Sequence, residues 1–341
     1  MFADSNRTLL EYYSQTLLRH LLKPEIEEIA INQPGEIWLR QRKPDSLGRI
    51  WIPIQDELLS REYLVNLAHL VANVQNSKNF SPDEIPAVYG DLPGGHRFTC
   101  AYGHNIQYLP PDKAGYEGSI CVNCRQYTSG NFVELQDYKL RPGEKVKAPI
   151  SSIFTKENEN PNDDYAKIIN SLTRGDHILV SGVTSSGKTT FLNRLISYLD
   201  QKKRIVTVED TRELKVTQPN RVHIIMSRTD QSNMFTYNHV RELLVRMTPD
   251  IILGGEISNS NAATIWNLMT TGHGHFMTTI HANNIEDAIT TFTNCIVLSQ
   301  ANSGITQQMD RGELRDHMKR SLRIIQIDRN AVGARQVVEI H

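Results

Sequence analysis

The stretch GVTSSGKTT, from Gly182 to Thr190, satisfies the pattern G-x-x-x-x-G-K-S/T, with Gly182, Gly187, Lys188 and Thr189 at the fixed positions. The pattern is short enough to arise by chance, and a Gly-rich turn without function is its plain alternative. Its setting adds specificity. The apolar run His177–Ser181 precedes it, and a helical pattern over Phe191–Leu199 follows. A strand, a glycine loop and a helix N-terminus together point backbone N–H groups at a phosphate. The spacing predicts a phosphate cradle built from Gly182, Val183, Thr184, Ser185, Ser186, Gly187, Lys188, Thr189 and Thr190. Lys188 would reach the β- and γ-phosphates of a nucleotide, and the Thr189 hydroxyl would hold magnesium.

Such a loop needs a carboxylate at the end of a neighbouring strand, for metal or for water. RIVTVEDTREL sets Glu209 and Asp210 at a strand end, and RMTPDIILGGE sets Glu256 at another. Strand C-termini are where an open α/β sheet binds its ligand. Each acid alone could equally cap the next helix. In TTGHGHFMTTIHANN, His281 ends a further strand on that edge, and a contact to the γ-phosphate is expected of it. His273 and His275 precede it, but the three do not share a face with the spacing zinc requires.

The elements that must position these residues are readable from periodicity. Leu9, Tyr13, Leu17 and Leu21 stand four apart, predicting a helix over 5–22 that stops at Pro24. Strand-like runs EEIAI, EIWLR and RIWIP follow, then a helix over 60–76, then HRFTCAY and GSICVNC. The first half therefore reads as a mixed α/β module on an antiparallel sheet. The segment KLRPGEKVKAPISSIFTKENENPNDD has linker composition. After a helix over 164–173, the runs HILVSG, RIVTVED, RVHIIM, DIILGGE and HFMTTIH alternate with helical patterns, which implies a parallel sheet with helices on its faces.

The 341 residues suit two domains. With 37 Lys+Arg against 38 Asp+Glu, global charge gives no argument for nucleic acid or acidic membrane. No apolar run approaches the roughly 18 residues of a membrane span. No secretory leader is read at the N-terminus, and four cysteines do not make a disulfide scaffold, so a cytoplasmic protein is expected.

The phosphate loop, then V-E-D-T-R-E-L, then R-M-T-P-D with G-E, then T-G-H closing on H-A-N, resembles the secretion-superfamily ATPases, hexameric motors of type IV secretion, type II secretion and type IV pili. The resemblance is close over 165–341. Upstream, PEIEEIAINQPGEIWLR, with Asn32 and Pro34, resembles the start of the N-terminal domain in the type IV secretion branch. The type II branch carries a tetra-cysteine insert after the phosphate loop, where this chain has Cys295 alone, and the A-I-R-N-L-I motif of retraction ATPases does not occur. The resemblance implies an N-terminal α/β domain over 1–138, a linker over 139–163 and a RecA-like ATPase domain over 164–341. It implies ATP and Mg2+ as ligands, Glu256 as the residue polarising water, and Glu209 assisting water or magnesium. It also implies that the N-terminal domain lends arginines to the nucleotide, and Arg97 and Arg125 fall at the indicated positions; two surface arginines in weak ion pairs are the alternative. One departure is Ser258, where the family usually has an arginine two residues after the glutamate.

Cys100, His104, Cys121 and Cys124 have the composition of a zinc site, but on a strand Cys121 and Cys124 would point to opposite faces, so little or no zinc is expected. The overall expectation is a homo-hexameric ATPase at the cytoplasmic face of the inner membrane. Its partners would be other type IV secretion ATPases and membrane components, without direct nucleic-acid binding. The rivals are a nucleic-acid translocase or helicase on a related core, and a GTP switch, for which the chain lacks an N-K-x-D motif.

Overall fold

A computed structural model describes residues 2–77, 79–109, 120–127, 162–226, 235–302, 310–329 and 334–341. Most of the expected linker 139–163 lies outside the described residues.

The expected first helix runs over Phe2–Leu21 (α1) and the second over Arg61–Val74 (α2), the latter started by the Ser60 hydroxyl, which accepts from the Tyr63 N–H at 3.1 Å. Between them lie β1 (Ile26–Ile31), β2 (Glu36–Gln41) and β3 (Trp51–Gln55), and after them β4 (Ala87–Leu92), β5 (His96–Tyr102) and β7 (Ile120–Arg125). These form one antiparallel sheet in the order β3-β2-β1-β7-β5-β4. Leu10, Leu17 and Leu21 of α1 and Leu64, Leu67 and Val71 of α2 seal one face of it. The strand β4 was not read from sequence, because Gly90 and Asp91 interrupt its apolar pattern. Cys100 and Cys124 lie in this core, whereas Cys121 belongs to the core on the sheet's other face. Strand alternation thus separates the thiols, and burial pushes Cys121 up to about 12.

The second sheet has the order β14-β13-β8-β12-β11-β9-β10-β6. Its parallel part comprises β13 (Leu322–Arg329), β8 (His177–Gly182), β12 (His275–His281), β11 (Ile251–Gly254), β9 (Ile205–Glu209) and β10 (Arg221–Ile225). One face packs against α3 (Asp164–Arg174) and α4 (Lys188–Ile196); the other packs against α5 (Tyr237–Met247), α6 (Ala262–Thr270), α7 (Ile285–Asn302) and α8 (Arg311–Ser321). The predicted α/β fold with a mostly parallel sheet is what forms. Both edges depart from it: β14 (Arg335–Ile340) pairs antiparallel with β13, and the two-residue β6 (Ile106–Gln107) comes from the N-terminal half to pair antiparallel with β10. No helix among the described residues is long and apolar enough to cross a membrane.

The two halves are also joined by a buried charge. Arg204, just before β9, is 0% exposed. Its guanidinium donates to Asn32 Oδ1 at 2.9 Å and Asn123 Oδ1 at 3.1 Å in the first half, and to Asn220 Oδ1 at 2.5 Å and the Met247 carbonyl at 2.9 Å in the second. It lies over the Trp51 ring, 5.3 Å from the centroid. Asn123 also donates to buried Glu28 at 3.1 Å, and burial raises the Glu28 carboxyl above its ordinary range. Burial lowers Arg204 to about 10, leaving it charged at neutral pH, and a buried charge is tolerated only with such a full set of partners.

Candidate phosphate-binding site

The apolar β8 brings the loop to the C-terminal edge of the sheet, where α4 begins at Lys188. Two glycines are required by close approach. A Cβ on Gly182 would stand 2.5 Å from the Ile327 carbonyl oxygen of β13, and one on Gly187 would stand 2.5 Å from Arg335 Cδ. Gly187 has φ 99, a left-handed value that disfavours other residues. As the N-cap of α4 it offers no side-chain hydrogen bond, so the first amides of the helix point outward without one. Ser186 Oγ is buried with no partner. An uncapped helix start and an orphaned hydroxyl fit a phosphate anion.

A cavity of about 780 Å3 opens there, lined by Ser185, Gly187, Lys188, Thr189 and Thr190 from the loop and helix, Glu256 and Gly255 after β11, and Thr279 and His281 of β12. Lys188, 6% exposed, donates from Nζ to the Val183 carbonyl at 3.0 Å and to His281 Nδ1 at 3.1 Å. The other ring nitrogen of His281 stands 3.1 Å from Glu256 Oε1. A histidine that accepts at Nδ1 carries its proton on Nε2, so the imidazole links an ammonium to a carboxylate. Burial lowers the Lys188 pKa, opposed by the charge of Glu256. The expected Lys188, Glu256 and His281 are therefore brought together.

Glu209 is not on that wall. It is 2% exposed, and its carboxylate accepts from the Glu213 amide at 2.7 Å, the Leu214 amide at 2.8 Å and the Thr207 hydroxyl at 2.8 Å. Burial pushes its pKa up, but His223 and the two amides outweigh it and hold the carboxyl below its ordinary range. The expectation that Glu209 meets water or metal directly differs from this arrangement, because its oxygens are already engaged by the turn that follows. That turn puts Asp210, Thr211 and Glu213 on the cavity wall instead. Arg212 grips the N-terminal half there, donating to Gln107 Oε1 at 3.3 Å and to the carbonyls of Tyr108 and Leu109. Sequence reasoning named Asp210 but missed Glu213; an acid four residues past a strand end was its available signal.

Arg97 and Arg125 lie directly opposite each other on β5 and β7. They line a second cavity, of about 490 Å3, with Asp91, Thr99, Asn123, Arg246 and Thr248, and this cavity shares no lining residue with the first. The chain does not bring them to its own phosphate cavity. Two arginines that were not anticipated do reach it. Arg329 of β13 donates from Nη2 to the Ser185 carbonyl at 2.7 Å, and Arg335 of β14 lies against Gly187. The alternating run LRIIQIDR could have revealed β13, but not that its end meets the loop. At Ser258, the segment after Glu256 is organised by Asn261, which donates to the Glu256 carbonyl at 2.8 Å and accepts from the Ser258 amide at 2.9 Å. His275 turns inward; burial, then neighbouring His177, lowers it to about 4.

A family model described as "Type II/IV secretion system protein" matches residues 143–329, more than half of the chain. The chain belongs to the type II/IV secretion system protein family. A "Type IV secretion system protein VirB11" of Bartonella quintana is 28% identical over 337 residues, 92% of this chain and 87% of that protein. A "Type IV secretion system protein PtlH" of Bordetella pertussis is 27% identical over 301 residues, 85% of this chain and 83% of that one. The crystal structure of the VirB11 ATPase of Brucella suis, in complex with sulphate, superposes with a TM-score of 0.80 at 22% identity, covering 99% of this chain and 96% of that one. That likeness establishes the fold of this family member.

Proposed function

We propose that the chain is a magnesium-dependent ATPase, working as a homo-hexameric ring, that energises type IV secretion of protein or DNA–protein substrates, pilus assembly, or both. The observation that carries the reading is the Lys188–His281–Glu256 chain beside an uncapped helix start in one cavity. The names of the VirB11 and PtlH relatives support the setting. They are secretion proteins and lend no support to the rival helicase.

In this reading the loop amides and Lys188 hold the β- and γ-phosphates, and the Thr189 hydroxyl, with Asp210 or Glu213 on the facing wall, would hold the metal. Magnesium would neutralise phosphate charge as it develops. Glu256 orients the attacking water and accepts its proton. His281 exchanges its Lys188 contact for one to the γ-phosphate. Glu209 acts one layer behind, by fixing the turn that carries Asp210 and Glu213. Arg97 and Arg125 serve a neighbouring copy: they stand side by side on β5 and β7, flanked in register by Asp91 and Glu28, and line a cavity apart from the chain's own phosphate site. Docking would be on other secretion ATPases and inner-membrane components at the cytoplasmic face, without direct contact to nucleic acid. The test is magnesium-dependent ATP turnover by six-fold rings. Mixing in Lys188→Ala chains should depress activity more than dilution does. A strictly linear fall in rings confirmed as mixed would refute coupled firing.

A further inference from the structure

We infer that Arg212 is a positioning residue for the metal side of the nucleotide site. By tying the turn after β9 to β6, it holds Asp210 and Glu213 in place. The inference rests on the ATPase reading and deepens it. Within this turn the side chains face two ways. Asp210, Thr211 and Glu213 line the phosphate cavity, and Arg212 is not among the lining residues. Its guanidinium donates instead to Gln107 Oε1 at 3.3 Å, to the Tyr108 carbonyl at 3.3 Å and to the Leu109 carbonyl. Three acceptors on three successive residues suit a planar fork of N–H donors, which a lysine cannot match.

A tie positions something only if its far end is firm. β6 pairs with β10, which sets Gln107 opposite His223. Asn105 and Ile225 exchange two further bonds, at 2.7 and 2.8 Å. The Tyr108 hydroxyl donates to the Pro219 carbonyl at 3.2 Å, and the Arg221 guanidinium lies 4.5 Å from the Tyr108 ring centroid. The turn is also held at both of its ends. Asp210 accepts from the Tyr237 hydroxyl at 3.0 Å. Glu209 accepts from the amides of Glu213 and Leu214, and Asn193 of α4 donates to the Glu213 carbonyl at 3.1 Å. Between these anchors is the crest, where Thr211 is exposed and Arg212 half-buried, so packing restrains it little. The guanidinium restrains it, and the two acids flank that crest. β6 follows β5, whose Arg97 lines the second cavity. One stretch of the N-terminal half thus reaches the second cavity at one end and the acid-bearing turn at the other.

The sign of the effect separates positioning from charge. Arg212 is a cation, so a purely electrostatic role would make its removal tighten a divalent ion in the cavity. Positioning predicts the reverse. The experiment titrates Mn2+ into the full chain with an equimolar non-hydrolysable ATP analogue, following free Mn2+ by electron paramagnetic resonance. Arg212→Ala should weaken Mn2+ about tenfold, the scale of losing a group that orients metal ligands. The affinity for the analogue alone, without metal, should stay within about twofold of wild type. Arg212→Lys keeps the charge but not the fork. It should weaken Mn2+ about threefold, and it serves if the alanine variant does not fold by circular dichroism. Gln107→Ala should weaken Mn2+ about twofold in wild-type protein and no further beside Arg212→Ala. Unchanged or tighter Mn2+ in a folded Arg212 variant, or effects of the two substitutions that simply add, would overturn the inference. A wild-type chain that binds neither Mn2+ nor the analogue would sink the ATPase reading, and the inference with it.

Discussion

Lys188 and Arg204 are both buried cations, yet they sit in opposite circumstances. Arg204 spends its guanidinium on Asn32, Asn123, Asn220 and the Met247 carbonyl, with Trp51 beneath it. Lys188 holds one backbone carbonyl and a histidine whose side chain is 45% exposed. The first set of partners is closed, and no ligand could improve on it. The second is open, because His281 and Glu256 can turn to another group and leave the ammonium for a phosphate. A saturated buried charge fixes two parts of a molecule together, whereas an unsaturated one beside a cavity stores affinity for an anion.

The comparison is broken most strongly at the open site. Glu256→Gln keeps size and polarity but removes the base, so ATP turnover should fall by about a hundredfold or more while nucleotide binding persists. A rate within about threefold of wild type would take Glu256 out of the role. At the closed site the loss is of stability. Arg204→Ala strands Glu28, Asn32 and Asn123 in the interface and should cost about 3–5 kcal/mol in a denaturant titration. Lys188→Ala, by contrast, relieves a desolvated ammonium and should leave stability within about 1 kcal/mol of wild type. If the two variants destabilise equally, the distinction between closed and open partners is wrong.

A smaller effect is expected at the second cavity. In the proposed ring, Arg125→Ala should slow the chemical step about tenfold with little loss of ATP affinity, since its charge matters most as the phosphoryl group departs. An unchanged rate would return Arg125 to the surface.

The last concerns pH. His275 is lowered by burial to about 4, from an ordinary value near 6.5. The unfolded chain therefore takes up a proton that the folded chain refuses. Its stabilising contribution is full above pH 6.5 and is lost as pH falls toward 4, at up to about 1.4 kcal/mol per unit. His275→Gln should flatten the stability profile in that window, and an unaltered slope would show that the ring is not held neutral.

Much of this was legible in the residues themselves, and for a local reason. The turn after β8 needs glycine at Gly187 because φ is 99, and at Gly182 because β13 passes behind it, so both necessities leave a mark in the text. Likewise the helical period of α1, the apolar strands of the parallel sheet and the strand-end positions of Glu256 and His281 are short-range patterns, although α1 turns Leu10 into the core and leaves Leu9 of the expected stripe exposed. What sequence could not settle is which side chains share a space. Glu209 and Asp210 are adjacent in the same motif, yet one is closed off by the amides of its own turn and the other lines the cavity. Arg329 and Arg335 carry no motif, and only the pairing of β13 with β8 brings them to the loop. Arg97 and Arg125 fall at positions that the family resemblance indicates, but strand order sends them to a different cavity. Backbone requirements are met within a few residues and can be read in order along the chain. Contacts between side chains depend on strand order and register, which are decided when distant segments pack and bury their apolar faces together.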